Sequence, residues 1–183
     1  MSFDLADFSY SRQRAETRAA AQRRHFTIKV KSQTIGLPVD CVKTIFHVEK
    51  LTPAPLAPPE IAGLANLRGR IVTVLRLDRC LFLGGADEES AAGLAVGVEH
   101  NGDNYALLID ETGDVVVNDE SDLIVCPAHI DERLARLMAA CYRREDGFLS
   151  ILDMGAVVRS VSRHSEVASR DGASRTPAKG AGQ

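Results

Sequence analysis

A chain of 183 residues, 45% of them apolar, is long enough to bury one medium core or two small ones without metal or disulfide staples. Tryptophan is absent and aromatics make up 5%, so the core must be built from Val, Ile, Leu and Ala rather than from rings. The formal charge of −3 is unevenly spread: residues 1–25 carry five bases and three acids, 26–158 twelve and twenty, and 159–183 five and two. An acidic body with weakly basic ends speaks against nucleic acid as the main ligand, because phosphate recognition needs concentrated positive charge.

No apolar run of about eighteen residues is available to span a bilayer, and the amino terminus lacks the apolar stretch of a signal peptide. Cys41, Cys80, Cys126 and Cys141 are scattered, with no C-x-x-C pair. The expectation is a cytoplasmic protein with reduced thiols and no direct membrane insertion.

Residues 1–25 read as an extension. The stretch SRQRAETRAAAQRR over 11–24 has good helix formers but only alanines for an apolar face, so it is flexible or ordered by a partner. From Phe26 the period becomes two, with Phe26, Ile28 and Val30 on one face and Thr27, Lys29 and Lys31 on the other. Ser32-Gln33 allows a turn into a second strand carrying Ile35, Leu37 and Val39, and a third strand spans Val42 to Val48. Four prolines at 53, 55, 58 and 59 make residues 52–60 an extended, stiff loop.

Ile61 to Asn66 reads as a short pairing segment, Arg68-Gly69 as a turn, and Ile71 to Leu75 as a central strand apolar on both faces. An arginine placed beside a glycine at the start of a strand is presented outward on a stiff support, as a docking residue would be. Gly84-Gly85 and the acidic residues after it mark a break near 84–92. Beyond it Leu94, Val96 and Val98 alternate, His100-Asn101-Gly102-Asp103 turns, and Tyr105 to Ile109 and Val115 to Val117 follow as strands. In 131–144, Leu134, Leu137, Met138 and Cys141 fall at helical spacing behind Asp131 as N-cap. Phe148 to Leu152 is a last strand, and 159–183 is a disordered tail.

The stretch from Pro55-Leu56-Ala57-Pro58 through Ile61, Gly63 and Asn66-Leu67-Arg68-Gly69 to Ile71-Val72 resembles the CheW family of chemotaxis coupling proteins. Leu107-Leu108-Ile109-Asp110 and Ile151-Leu152-Asp153 extend the likeness over about residues 26–158. The resemblance implies a mainly all-β fold: two packed, five-stranded SH3-like barrels, pseudo-repeated about the break, with one or two short helices. It further implies a non-enzymatic adaptor without cofactors. Its partners would be a chemoreceptor cytoplasmic hairpin tip and the regulatory domain of a CheA-type histidine kinase, recruiting it to membrane receptor arrays.

The receptor-binding residues carried over are Asn66, Leu67, Arg68 and Gly69, with Thr44 and Phe46 in the adjoining groove. Thr44-Ile45-Phe46 departs from a charged stretch usual in the family, which leaves open a scaffold for a different signalling system. Arg76 stands where the family has an acid, with Asp78 placed to compensate, and Ala140 stands where the family has Gly. The family expects a strand over about 138–143, so the preferred reading is a short helix from Asp131 followed by that strand.

Cys126-Pro-Ala-His129, near Asp131, is the one spacing that hints at a metal or a thiol enzyme, but tetrahedral zinc usually needs a second pair. A buried loop Cys and an exposed His explain it more simply. Nothing in the sequence sets His25, His47, His100, His129 or His164 beside a reactive thiol. Asp110 and Asp153 fit strand-end capping, and Asp114, Asp119, Glu120 and Asp122 fit a solvated acidic edge. There is no phosphate-cradling Gly-rich loop and no H-E-x-x-H.

Overall fold

The computed structural model describes residues 22–83, 93–127, 130–145 and 147–162. The extension up to residue 21, the Gly/acidic break at 84–92, His129 and the tail beyond 162 lie outside the described residues. Among the described residues there are eleven strands: β1 (Gln22–Val30), β2 (Gln33–Pro38), β3 (Val42–Val48), β4 (Ile61–Leu67), β5 (Arg70–Arg76), β6 (Gly93–His100), β7 (Asp103–Leu108), β8 (Glu111–Asp119), β9 (Leu123–Ile124), β10 (Met138–Arg144) and β11 (Gly147–Leu152). Short helices α1 (Leu77–Cys80) and α2 (Glu132–Ala135) interrupt them, and helical residues 154–162 form α3.

The strands make a six-stranded sheet, β8-β1-β2-β11-β10-β9, and a five-stranded sheet, β3-β6-β7-β5-β4. The mainly β fold with two sheets is as expected, but the sheets do not follow chain order. β6 and β7, from beyond residue 92, lie between β3 and β5, while β1 and β2 join β8 to β11. Two parallel pairings make the splice, Thr73↔Tyr105 through Arg76↔Leu108 in one sheet and Ser150↔Ile35 in the other. Local alternation cannot reveal such long-range partners, because it specifies a face and not a neighbour.

The largest core lies between the sheets and gathers Ile28, Leu37, Leu75, Leu77, Val96, Leu107 and Leu152 with Met154, Val157 and Val161 of α3. A small second core, Val48, Ala65, Val72, Val74, Ala95 and Ala106, fills the other face of the five-stranded sheet. The alternation in β6 therefore serves two cores: Val96 and Val98 face one, Ala95 the other. Tyr142, Leu149 and Ile151 form a third cluster inside the six-stranded sheet.

Several boundaries shift for tertiary reasons. β1 begins at Gln22, four residues ahead of the apolar alternation, because Gln22 to His25 pair with Asp119 to Val116 of β8. In 131–144 the preferred reading holds: a short helix, α2, is capped by Asp131 Oδ1 accepting from the Arg133 N–H at 2.8 Å, and Met138 onward pairs with β11 as a strand. α3 reaches into the expected tail. Its signal was Met154, Val157, Val158 and Val161 at i, i+3, i+4 and i+7, with Asp153 Oδ1 accepting from the Ala156 N–H at 3.0 Å. Asp110 likewise accepts from the Lys31 N–H in the β1–β2 turn, so both aspartates have structural duties.

Gly63 is the tightest backbone position in the site-bearing hairpin. Its φ is +146°, and a Cβ there would sit 2.6 Å from the Thr52 carbonyl oxygen, where the proline loop pairs with Leu64. Gly63→Ala is expected to destabilise the fold by about 1 to 3 kcal/mol. A chemical-denaturation midpoint equal to wild type would contradict this account.

Candidate docking surface

The proline loop is fastened to β4 before the hairpin turns. Thr52 and Leu64 exchange N–H to O=C bonds of 2.8 Å, and the Arg76 N–H donates to the Glu60 carbonyl at 2.8 Å, closing the far end. Between these ties Leu56 sits at φ +61° and is 96% exposed, in a turn closed by the Ala57 N–H on the Ala54 carbonyl.

At the other end of β4, Leu67 pairs with Arg70, leaving Arg68 and Gly69 as a two-residue loop. Both have positive φ, +53° and +83°, the type I′ geometry whose twist matches the flanking strands. Gly69 adopts this without strain. Arg68 pays a steric cost for it, which the Asn66 side chain offsets by accepting the Gly69 N–H at 2.8 Å. The Arg68 side chain is exposed, and among the described residues it makes no ion pair or hydrogen bond.

The six anticipated residues thus divide by role. Asn66 and Gly69 build the turn and Arg68 projects from it. Leu67 is half-buried against the small core, and Phe46 packs on the same core from β3, so the two edge strands of the five-stranded sheet meet across it. Thr44 is half-buried on the Phe46 face, and a Cβ at Gly97 would lie 2.8 Å from its Cγ2 and 3.5 Å from Phe46 Cε1. Phe46 and Leu67 therefore wall the small core, Leu67 adjoining the arginine in the chain.

Ile71 departs from the sequence expectation of a strand buried on both faces, being 72% exposed. It pairs with Asn66 next to the turn, whereas α3 covers the strand face only near Thr73 and Leu75. Exposed Ile71 and Arg70 therefore extend the surface around Arg68, and sequence periodicity could not show where the covering layer stops. Arg76 and Asp78 form no ion pair among the described residues.

A second exposed surface lies on the six-stranded sheet. Its edge strands β8 and β9 are consecutive, joined by the single 3-10 turn Glu120–Asp122, so the sheet curls until its edges approach. Val116 points inward, while Val115, Val117, Leu123 and Val125 stay exposed among the acids Asp114, Glu120 and Asp122.

Behind this edge, His25 is 4% exposed. Its Nδ1 accepts from Asn118 Nδ2 at 2.8 Å, and Asn118 Oδ1 in turn accepts from Arg144 Nη1 at 3.1 Å. Its ring tilts against Tyr142 at 5.4 Å. One side-chain chain therefore ties β1, β8 and β10 together.

The cysteines do not support a thiol enzyme. Burial pushes the Cys80 thiol up to about 12 and raises that of Cys41. Cys126 is not a free loop thiol, as the sequence reading had it, but is disulfide-bonded to Cys141, with Cα atoms 5.5 Å apart. Pairing of β9 with β10 brings the two together, which no sequence spacing foretold. While that bond is intact its sulfur is engaged, and not open to the metal or nucleophile role weighed with His129.

The profile of the CheW-like domain matches residues 24–162. The chain belongs to the CheW-like domain family. Within it, the chain is 25% identical over 138 residues to the chemotaxis protein CheW of Bacillus subtilis (strain 168), covering 75% of this chain and 88% of that one. It is also 25% identical over 133 residues to chemotaxis protein CheW of Treponema pallidum (strain Nichols), covering 70% and 77%. The crystal structure of scaffolding protein TtCheW from Thermoanaerobacter tengcongensis shares the fold with a TM-score of 0.62 at 22% identity, over 72% of this chain and 89% of that one. Both exposed surfaces fall inside the CheW-like domain. No helix among the described residues is long and apolar enough to cross a membrane.

Burial first, and the Arg23 guanidinium second, lower the pKa of His25 from its ordinary 6.5. The folded state then binds fewer protons than the unfolded state below pH 6.5, so the contribution of His25 to stability is complete above 6.5 and is lost as pH falls toward the folded value. Denaturation midpoints measured from pH 7.5 downward should drop more steeply for the wild type than for His25→Gln. Parallel profiles would contradict the assigned network.

Proposed function

We propose that the chain is a non-enzymatic chemotaxis scaffold that binds a chemoreceptor cytoplasmic hairpin at the β4–β5 turn and a CheA-type histidine kinase regulatory domain at exposed barrel edges. The observation that carries this reading is the Arg68 guanidinium, held outward and unpaired on a strained turn that Asn66 fastens. A bidentate pair to an acidic receptor side chain fixes orientation, and Ile71 with the Phe46–Leu67 wall supplies apolar area. The names of its relatives, chemotaxis proteins and a scaffolding protein, agree with this reading.

The kinase face is assigned to Val115, Val117, Leu123 and Val125, an apolar strip on a sheet edge with acids around it. The acids select against acidic partners, and the β8 edge, unpaired on its outer side among the described residues, offers main-chain pairing. The protein works in the cytoplasm, recruited to receptor arrays, and needs no cofactor. Its action is geometric: holding both partners in one array lets small receptor changes shift the kinase between active and inactive populations.

A second reading keeps the scaffold and changes the pathway. It is favoured by one feature, the engagement of Phe46 in the small core where the family more often presents charge to a receptor. Partner choice between cognate chemoreceptors and receptors of another pathway separates the two.

Arg68→Ala should weaken receptor binding by about 10- to 150-fold, the range for losing a charged hydrogen-bonded partner, while kinase-domain affinity stays within about twofold. Val117→Asp should do the reverse. Equal loss of both partners in either variant, read by calorimetry or pull-down, would refute the division of surfaces. Arg68→Gly should lose receptor affinity without losing thermal stability, because glycine meets no steric penalty at φ +53°.

A further inference from the structure

We propose that Cys126 and Cys141 form a reversible redox clip that holds the Leu123–Val125 edge in place, so that oxidation presents this apolar surface and reduction loosens it. The proposal rests on the assignment of that edge as a docking face, and adds its regulation.

β9 is two residues long, and its pairing with β10 consists of Leu123↔Tyr142 and Ile124↔Cys141. A strand this short contributes few ladder hydrogen bonds, and both Leu123 and Val125 point into solvent rather than into a core, at 53% and 92% exposure. Apolar burial therefore does little to hold the edge. The covalent bond does what packing does not: it ties the residue after Val125 to the middle of β10, whose own Cys141 is 1% exposed and firmly paired with Ser150 of β11. The same edge borders a 580 Å³ cavity lined by Leu123, Tyr142, Ala140 and His25, so release of β9 opens one wall of that space.

The two sulfurs are unequally accessible. Cys126 is half-buried and Cys141 is sealed, so an external thiol meets the Cys126 sulfur first. A dithiol reductant attacks there as its thiolate, forming a mixed disulfide with Cys126 and expelling Cys141 as a thiolate, which takes up a proton. Ser150 Oγ lies 3.7 Å from that sulfur. The second thiol of the reductant then attacks the mixed disulfide, releasing Cys126 as a thiol and leaving the reductant as its own disulfide. Two electrons pass from the dithiol to the protein. A low-molecular-weight disulfide such as oxidised glutathione runs the sequence in reverse. The other two thiols do not compete, since Cys41 and Cys80 are free, with burial raising both above their ordinary range. In a reducing compartment a lone disulfide of this kind is a transient or sensing bond rather than a permanent staple.

The test uses the full chain under native conditions, equilibrated with reduced or oxidised glutathione, then with dithiothreitol. After each native equilibration is quenched with acid, alkylation in denaturant and mass measurement should show two thiols per chain in the oxidised form and four in the reduced form, the buried Cys80 and Cys141 being counted only once unfolded. Amide hydrogen exchange should rise at least tenfold in peptides covering 123–127 on reduction, with β4–β5 and β10–β11 unchanged, and Cys126→Ser should show the reduced pattern with either glutathione form. A kinase regulatory domain should bind the oxidised form at least tenfold more tightly. The proposal is overturned if the bond opens only after denaturation, if exchange at 123–127 is the same in both states, or if a kinase domain that binds does so equally in both. A kinase domain that binds neither form, with exchange responding as described, overturns the docking assignment while supporting the clip.

Discussion

The parallel pairing of β5 with β7 is the contact on which the architecture turns. It sets Thr73 beside Tyr105 and Arg76 beside Leu108, and so inserts the β6–β7 hairpin into the sheet begun by β3 to β5. Without it the five-stranded sheet has no centre, and the inward residues Val74, Ala95 and Ala106 have no common core. Its counterpart, β2 with β11, does the same for the other sheet. Each barrel thus needs strands from both sides of residues 84–92, which makes the two structurally interdependent even though the chain reads as two successive halves.

That interdependence explains where the functional surfaces are left. β4 and β5 end at the margin of the five-stranded sheet, so their turn projects beyond both packing layers and Arg68 has nothing within the described fold to neutralise it. Glycine would adopt the left-handed conformation at Arg68 more cheaply, and the strain is tolerated because Asn66 fastens the turn from one side and the Leu67–Arg70 pair closes it from the other. The same margin logic leaves Val115, Val117 and Leu123 on the rim of the six-stranded sheet, where no further strand among the described residues covers them. Rigid support with an unsatisfied side chain is what an adaptor requires: orientation is fixed before the partner arrives, which reduces the ordering cost of association.

The polar side chains away from the docking surfaces serve the fold. His25, Asn118 and Arg144 stitch three strands, while Asp110 and Asp153 hold a turn and a helix start. Residue types that in isolation suggest catalysis are absorbed by backbone accounting, since buried polar groups must find partners. The exception is the Cys126–Cys141 bond, which secures an edge that packing leaves loose.

What the sequence by itself determined was local. Alternation in Phe26 to Val30, Leu94 to Val98 and Phe148 to Leu152 marked strands, and Arg68-Gly69 and Asn101-Gly102 marked turns, because φ preferences and side-chain period are properties of a few adjacent residues. The outward arginine was legible for the same reason, together with the family likeness of its surroundings. The helical run at 154–162 was equally local, but its four apolar positions were outweighed by the polar residues around them. Tertiary structure alone decided the exchange of hairpins between sheets, the strand at 22–25, the exposure of Ile71 and the union of Cys126 with Cys141. Each depends on which distant segment lies alongside, and a period-two pattern carries a face without naming its neighbour.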